Sequence, residues 1–432
     1  MITTALRTER PLANQMHADD VLSVASVWNL EKRERELINL TANENVLSKT
    51  SSRFLASGLS GRYLLEDLSL PRSGSLLASK GNFTFPSLGN SVDLIQRAQA
   101  ALCDALQSKW IEMRPLSGVH ATLVTLASLT TPGDLVVSLA PEQGGHFATT
   151  PLARQIGRNG CYIPWNEKLD KPDYVNLLRI LKKNQRKSII FIDPGLPFGP
   201  FPLSELRDVV GPKTTLVYDA SHCLGLIVGG EFKNPLDEGA DIVQGNTHKS
   251  FPGAHKAIIA GRKTDYGQSI KDSLDHQLVS SCHTGAILAN ACTALEMRTY
   301  GKEYAQHMIK LARHLESELA TLGVPTVPGS STHIVAIPLH SPAAAFEAAA
   351  QILSAGVRIN SRVINGIALL RIGMQEVARR GLEPDDVQLL ARVLASAYRG
   401  SATPISHLHA IKSMALRKQQ IIYSFDAMRG VL

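Results

Sequence analysis

Two short apolar runs in this chain each lead to a residue able to do chemistry. Leu216-Val217-Tyr218 stops abruptly at Asp219, and Asp241-Ile242-Val243 leads through Gly245-Asn246-Thr247-His248 to Lys249. Short apolar runs bounded by polar residues read as buried strands. In open α/β sheets, ligands sit beyond the carboxyl ends of such strands. An acid at one strand end and a lysine at another form the pair that pyridoxal phosphate (PLP) uses, the lysine as Schiff base and the acid as partner of the pyridinium nitrogen.

Other polar groups punctuate the chain in the same way. Leu37-Ile38-Asn39-Leu40 runs into Thr41-Ala42-Asn43-Glu44-Asn45. Ser117-Gly118 opens a helical stretch, where free backbone N–H groups and the helix dipole favour an anion such as a phosphate. A strand-like run over 134–139 leads to Glu142-Gln143-Gly144-Gly145-His146. Residues 56–89 are rich in Gly, Ser and Pro, lack a clear period and contain Tyr63 and Glu66; they read as a long ordered loop, a feature that is often functional.

These residues need a scaffold, and the periodicity supplies one. Strands are predicted at 162–165, 188–193 and 256–260 as well as at the two runs above. Helices are predicted at 20–28, from residue 90 to about 106, and over 119–129, 173–184 and 203–209. Alternation of strand and helix implies a mostly parallel sheet covered on both faces, the α/β class. A long helix over 285–322 follows, with Gly301 as its expected break. A small α+β section comes next: strands at 333–338 and 367–372, helices at 343–355 and 385–398, and a basic helix over 411–425.

Composition narrows the function. The chain has 432 residues, 44% hydrophobic and 19% charged, with a net charge of +7. The densest basic run, Lys182-Lys183-Asn184-Gln185-Arg186-Lys187, ends a helical pattern, so the excess charge points to an anionic cofactor or substrate and not to nucleic acid. Five cysteines lie far apart with no CxxC pair, which speaks against a metal site or a disulfide framework and for reduced thiols. The first residues lack the apolar core of a signal peptide and no apolar run approaches the length of a membrane span. A cytoplasmic location is expected.

Residues 218–230 and 239–253 together resemble the cofactor region of serine hydroxymethyltransferases and the related L-threonine transaldolases. Both belong to the aspartate-aminotransferase-type PLP superfamily, fold type I. Leu40-Thr41-Ala42-Asn43-Glu44-Asn45, Gly144-Gly145-His146, Leu370-Arg371-Ile372-Gly373, Arg379-Arg380-Gly381 and Tyr423-Ser424-Phe425-Asp426 extend the likeness discontinuously from 36 to 426. It implies an N-terminal arm over 1–35, a PLP-binding large domain over 36–305 and a small C-terminal domain over 306–432.

The resemblance also implies roles. Lys249 forms the Schiff base, Asp219 keeps the pyridine nitrogen protonated, and His222 lies near the ring oxygen. Ser117 and Gly118 hold phosphate, with Asn246 and Gly253 also at the cofactor. Arg371, Asn43 and Glu44 bind substrate, a planar guanidinium being suited to a carboxylate. His146 and His248 are candidate bases, His248 also orienting cofactor or substrate. Tyr63 reaches the partner subunit's site, which implies a homodimer.

Departures from the family pattern set the expected reaction. Leu65 stands where hydroxymethyltransferases carry the glutamate used in folate-dependent proton transfer, with Glu66 one place late, and a leucine moves no proton. Val119 removes a hydroxyl from the phosphate turn, and the ring-stacking histidine is sought among Pro141, Glu142 and Gln143 without an obvious replacement. The expected function is therefore transaldolation: cleavage and formation of the Cα–Cβ bond of β-hydroxy-α-amino acids through a glycyl quinonoid. L-threonine, serine or glycine would be the amino-acid substrate and an aldehyde its partner. A folate-dependent hydroxymethyltransferase, a threonine-aldolase-type activity, a transaminase or decarboxylase, and a non-catalytic PLP-fold binding protein are the alternatives.

Overall fold

A seven-stranded sheet carries the strand ends singled out above. Its strands are β1 (Trp110–Glu112), β2 (Leu135–Ser138), β3 (Asn159–Tyr162), β4 (Ser188–Ile192), β5 (Thr215–Asp219), β6 (Ile242–Asn246) and β7 (Ala257–Gly261), in the spatial order β1-β7-β6-β5-β4-β2-β3. The computed structural model from which they are read describes residues 11–70 and 74–427. From β6 to β3 every neighbouring pair is parallel, whereas β7 runs antiparallel to both β6 and β1. Nearly every residue of β2, β4, β5 and β6 is buried. A sheet covered on both faces needs such continuous apolar runs, which is why these strands were legible.

Strand order reverses beside β2: the chain goes to β3 on one side, then crosses to β4 on the other. A crevice opens at such a switch point, outside the carboxyl ends. Register lines up the residues that follow. Ser138 pairs with Phe191, Tyr218 with Ile192, and Asp219 with Gln244.

The helices include α1 (Pro11–Glu34), α2 (Asn90–Leu106), α3 (Gly118–Leu129), α4 (Thr284–Thr321) and α5 (Ile405–Arg417). Helix α4 runs 38 residues without the expected break at Gly301. That glycine permits a close approach instead: a Cβ at the facing Gly229 would overlap the Gly301 carbonyl. The basic C-terminal helix starts and ends earlier than the 411–425 expected, and Tyr423-Ser424-Phe425-Asp426 is a structural clasp. Arg379 donates to the Tyr423 carbonyl and, fully buried, pairs with Glu296 at 2.8 Å, while Glu296 accepts from Phe425 N. Asp426 accepts from the first amides of helix Lys49–Ala56.

The long loop is less irregular than its composition suggests. Leu77–Lys80 and Phe83–Pro86 form a hairpin. Glu66 is committed to this loop, accepting from Leu65 N, Ser87 Oγ and Leu88 N.

A second sheet of three antiparallel strands faces the crevice: β8 (Ile334–Leu339), β9 (Asn360–Ile364) and β10 (Ile367–Gly373), in the order β8-β10-β9. Asn365 and Gly366, with φ of 48° and 75°, make the tight β9–β10 turn, the left-handed pair that two-residue hairpins favour. This fixes Asn360 opposite Arg371. Residues 38–41 join this unit and not the large sheet: Ile38 and Asn39 pair with Val357 and Arg358, and Thr41 bridges Ile372.

Candidate active site

The crevice holds a pocket open to solvent and lined by Gly118, Val119, Thr122, His146, Thr149, Asp193, Asp219, His222, Asn246 and Lys249, among others. Asp219 and Lys249, brought here by adjacent parallel strands, face one space. Their supports are built into the strands. Asp219 accepts from Ser221 N at 2.9 Å and from Gln244 Nε2 at 2.9 Å. Gln244 is fully buried, also donates to Thr122 Oγ1, and accepts from Thr125 Oγ1. This chain of bonds fixes the carboxylate in one place, as pairing with a pyridinium requires.

Lys249 is 8% exposed and its Nζ lies 3.2 Å from His222 Nε2. Burial pulls the ammonium down to about 8, helped by Arg371 and Arg362 and opposed by Asp219. Such a lysine has a neutral fraction of about one-tenth at pH 7, and the neutral form is the one that attacks a carbonyl. Burial and Lys249 hold His222 neutral, well below its ordinary range. Its Nδ1 is buried without a partner among the described residues. His146 is likewise lowered by burial.

Ser117 caps α3, its Oγ accepting from His120 N, and Gly118 N donates to Asn246 Oδ1 at 2.8 Å. A Cβ at 118 would overlap the Asn246 amide. Gly118 and Val119, at the N-terminus of α3, line the cavity, so the positive end of the helix faces the space where an anion would sit, while Ser117 lies outside that lining. Lysine, acid, imidazoles and anion seat together fit PLP.

Arg371, 7% exposed, is held at three points. It donates to Asn360 Oδ1 at 3.0 Å, to the Gly195 carbonyl at 2.9 Å and to Asn43 Oδ1 at 3.1 Å. Burial and Arg362 lower it to about 10, so it stays charged, and among the described residues no carboxylate lies within 4 Å of it.

Several expected residues lie elsewhere. Glu44 accepts from Asn39 and faces Arg358, away from Arg371. His248 stacks on His255 with ring centroids 3.7 Å apart and is outside the cavity lining, since successive side chains after β6 diverge. Gly253 serves packing: a Cβ there would overlap Asn290. Tyr63 is 46% exposed and stacks on Phe85, while Leu65 lines a separate hollow with Lys80, Arg114 and Asp275. Pro141, Glu142 and Gln143 form a short turn outside the cavity, and the imidazoles that line it are those of His146 and His222.

The serine hydroxymethyltransferase family model matches residues 17–394. The chain belongs to that family. Serine hydroxymethyltransferase-family proteins are PLP-dependent enzymes of aldol-type transfer with fold type I architecture, and so is this chain. Fluorothreonine transaldolase of Streptantibioticus cattleyicolor is 34% identical over 439 residues, spanning 99% of this chain and 68% of that protein. The L-threonine:uridine-5'-aldehyde transaldolase of a Streptomyces species is 32% identical over 399 residues, covering 90% and 91% of the two chains. Serine hydroxymethyltransferase of Pyrobaculum neutrophilum is 31% identical over 431 residues, 95% of each. The crystal structure of L-threonine transaldolase from Pseudomonas fluorescens in its internal aldimine state superposes with a TM-score of 0.84 at 27% identity over 97% of each chain.

Three residues at this family member's site were missed from sequence: Asp193, which lines the cavity, Gln244, which holds Asp219, and Arg362, which reaches the Gly145 carbonyl. Asp193 ends β4 as Asp219 ends β5, so the strand-end rule was signal enough. It is 3% exposed, accepts from Thr149 Oγ1 and has an unpartnered Oδ1. Burial and neighbouring Asp219 push its carboxyl well above the usual range.

Proposed function

We propose that this chain is an L-threonine transaldolase-like enzyme that breaks and makes the Cα–Cβ bond of β-hydroxy-α-amino acids. The observation that carries the reading is the convergence of Asp219 and a lysine lowered to about 8 on one cavity, with Arg371 donating to a carbonyl of its wall and paired with no carboxylate among the described residues. PLP, when bound, supplies a sink for the electron pair released at the substrate α-carbon. Lys249 would hold it covalently, Asp219 would pair with its ring nitrogen, and Ser117, Gly118 and Asn246 would receive its phosphate. His146 would lie against its ring and His222 beside it.

The chain's own residues do the rest. Arg371, preset by Asn43, Asn360 and the Gly195 carbonyl, takes the amino-acid carboxylate as a fork. This orients the side chain so that the Cα–Cβ bond is the one to break. Neutral His146 or His222 takes the hydroxyl proton of L-threonine as acetaldehyde leaves, and the electron pair stays on the α-carbon. That carbon then bonds to the carbonyl carbon of a second aldehyde, whose oxygen receives a proton, so atoms and charges balance. Both imidazoles are neutral at pH 7 because of burial, which is what a base requires.

The homodimer is part of the proposal. Tyr63 and Leu65 lie outside this protomer's cavity, so any role they have is exerted on a partner's. Helix α1 exposes Val21, Val24, Val27 and Trp28, each more than half accessible, an apolar surface suited to a second copy. Sedimentation of the active enzyme as a monomer would remove this part of the reading.

Family membership keeps a second reading, a folate-dependent hydroxymethyltransferase, against which Leu65 speaks. L-Threonine with a panel of aldehydes, followed by mass spectrometry, should give new β-hydroxy-α-amino acids, and tetrahydrofolate should leave serine turnover unchanged. Acceleration of serine turnover by tetrahydrofolate over orders of magnitude would favour the second reading.

A further inference from the structure

Arg362 carries a charge that the chemistry above does not use. It lies on β9 two residues beyond Asn360, so the pleat sends both side chains to one face. Residues 360, 362 and 364 are half-buried while 361 and 363 are exposed. Asn360 engages Arg371, and Arg362 reaches across the wall formed by the turns at 144–146 and 193–195. Those turns are tied by Gly195 N donating to the Gly144 carbonyl at 2.8 Å. Arg362 Nη2 donates to the Gly145 carbonyl at 2.7 Å. Its Nη1 lies so close over Gly195 that a Cβ there would overlap it, so glycine at 195 is what admits the guanidinium.

Arg371 donates to the carbonyl of that same Gly195. Two guanidinium groups therefore meet across one glycine at the cavity wall, and among the described residues neither has a carboxylate within 4 Å. Adjacent like charges partly removed from water are costly unless anions neutralise them. Asp193, the acid whose charge is felt by Arg362, makes no ion pair with it within 4 Å and has its carboxyl pushed up by burial and Asp219. One amino-acid carboxylate satisfies one fork, which leaves the second cation for the other reactant.

We infer that Arg362 selects the acceptor: the second substrate is an aldehyde that carries an anionic group, a carboxylate or a phosphate, and Arg362 binds that group at the wall shared with Arg371. This rests on the transaldolase reading and narrows its substrate class. The bond made is the one already described; Arg362 contributes position and no proton.

The test compares 4-formylbenzoate, 4-formylphenyl phosphate and the neutral methyl 4-formylbenzoate as acceptors, with L-threonine as donor and the PLP-loaded enzyme. At least one charged aldehyde should exceed the ester in kcat/KM by about 10- to 100-fold, the scale of a charge-assisted bond, and which one wins tells carboxylate from phosphate. Arg362→Gln should abolish that preference and Arg362→Lys should keep part of it. A second arm needs no turnover. Calorimetry on the loaded enzyme with 4-(hydroxymethyl)benzoate, and with its phosphate counterpart 4-(hydroxymethyl)phenyl phosphate, neither of which has an aldehyde, should show binding of the favoured anion that Arg362→Gln weakens about ten-fold or more. Equal use of ester and charged aldehydes by the native enzyme would overturn the inference while sparing the transaldolase reading. So would an Arg362→Gln variant with a raised KM for L-threonine and an unchanged acceptor ratio, which would make Arg362 a second clamp on the amino acid. If no aldehyde is accepted, the transaldolase reading fails, and the binding arm still decides the anion site.

Discussion

Replacing Arg371 by lysine keeps a charge and removes the fork, and the structure fixes what that should cost. Arginine has five N–H donors. Three are spent on Asn360, the Gly195 carbonyl and Asn43, leaving two for a substrate carboxylate. A lysine has three donors on one nitrogen and cannot hold those acceptors and still present a parallel pair. Loss of one charge-assisted bond to substrate corresponds to about 1.5–3 kcal/mol, or a fall of roughly 10- to 150-fold in kcat/KM for L-threonine. Steady-state kinetics on L-threonine and on L-threonine amide would measure it, with cofactor absorbance and thermal unfolding as controls for loading and fold. The native enzyme should prefer the acid strongly, and Arg371→Lys should lose most of that preference. If kcat/KM for L-threonine is unchanged, or if acid and amide fall equally, Arg371 does not grip the carboxylate and the assignment is wrong.

Borohydride treatment of the PLP-loaded enzyme should fix the cofactor on Lys249; an adduct mapped to Lys256, the other buried lysine lowered to about 8, would refute this, since Lys256 is already donating to the carbonyls of Arg114 and Cys282. Cofactor loading of the apo-protein should speed up as pH rises through about 8, because burial lowers Lys249 from 10.5 to about 8 and only its neutral form reacts. From about one-tenth neutral at pH 7 it becomes about nine-tenths neutral at pH 9, and a rise centred near 10.5 would contradict this cause. Gln244→Leu strands Asp219, Thr122 and Thr125 and should lower stability by about 1–3 kcal/mol, seen as a drop in Tm; an unchanged Tm would mean that this chain of bonds contributes nothing. Leu65→Glu should raise the share of free glycine over transfer product in the threonine reaction, measured by mass spectrometry, and an unchanged product ratio would show that position 65 does not control protonation.

Asp219 and Lys249 were legible because a strand buried on both faces cannot hide: its apolar run is continuous and its end is abrupt. Ser117-Gly118 was legible for a similar local reason, as a cap opening a periodic helix. The hairpin at 77–86 was not, since its short polar strands cover no core and carry no period. Gly301 misled because a helix breaker and a contact glycine look alike until the facing Gly229 is known. Glu44 and His248 sit one residue from true cavity or clamp residues, and one residue is enough to turn a side chain to another face. Arg362 and Asn360 owe their place to the β9–β10 register and to two turns near residues 145 and 195. No local pattern encodes contacts that span such separations.

The protonation states around the cavity form a consistent set. Burial lowers His146 and His222 into the neutral form and pushes the Asp193 carboxyl up. Asp219 stands on one side and Arg371 with Arg362 on the other, with Lys249 between its two forms. Such a site holds its proton carriers uncharged and reserves its cations for anionic ends of substrates. A carbanion at the α-carbon survives longest where no nearby acid delivers a proton before the acceptor arrives. Neutral imidazoles at this pH can take a proton from a hydroxyl but are poor donors to carbon. The same burial that poises Lys249 for the cofactor therefore also favours transfer to an aldehyde over release of glycine.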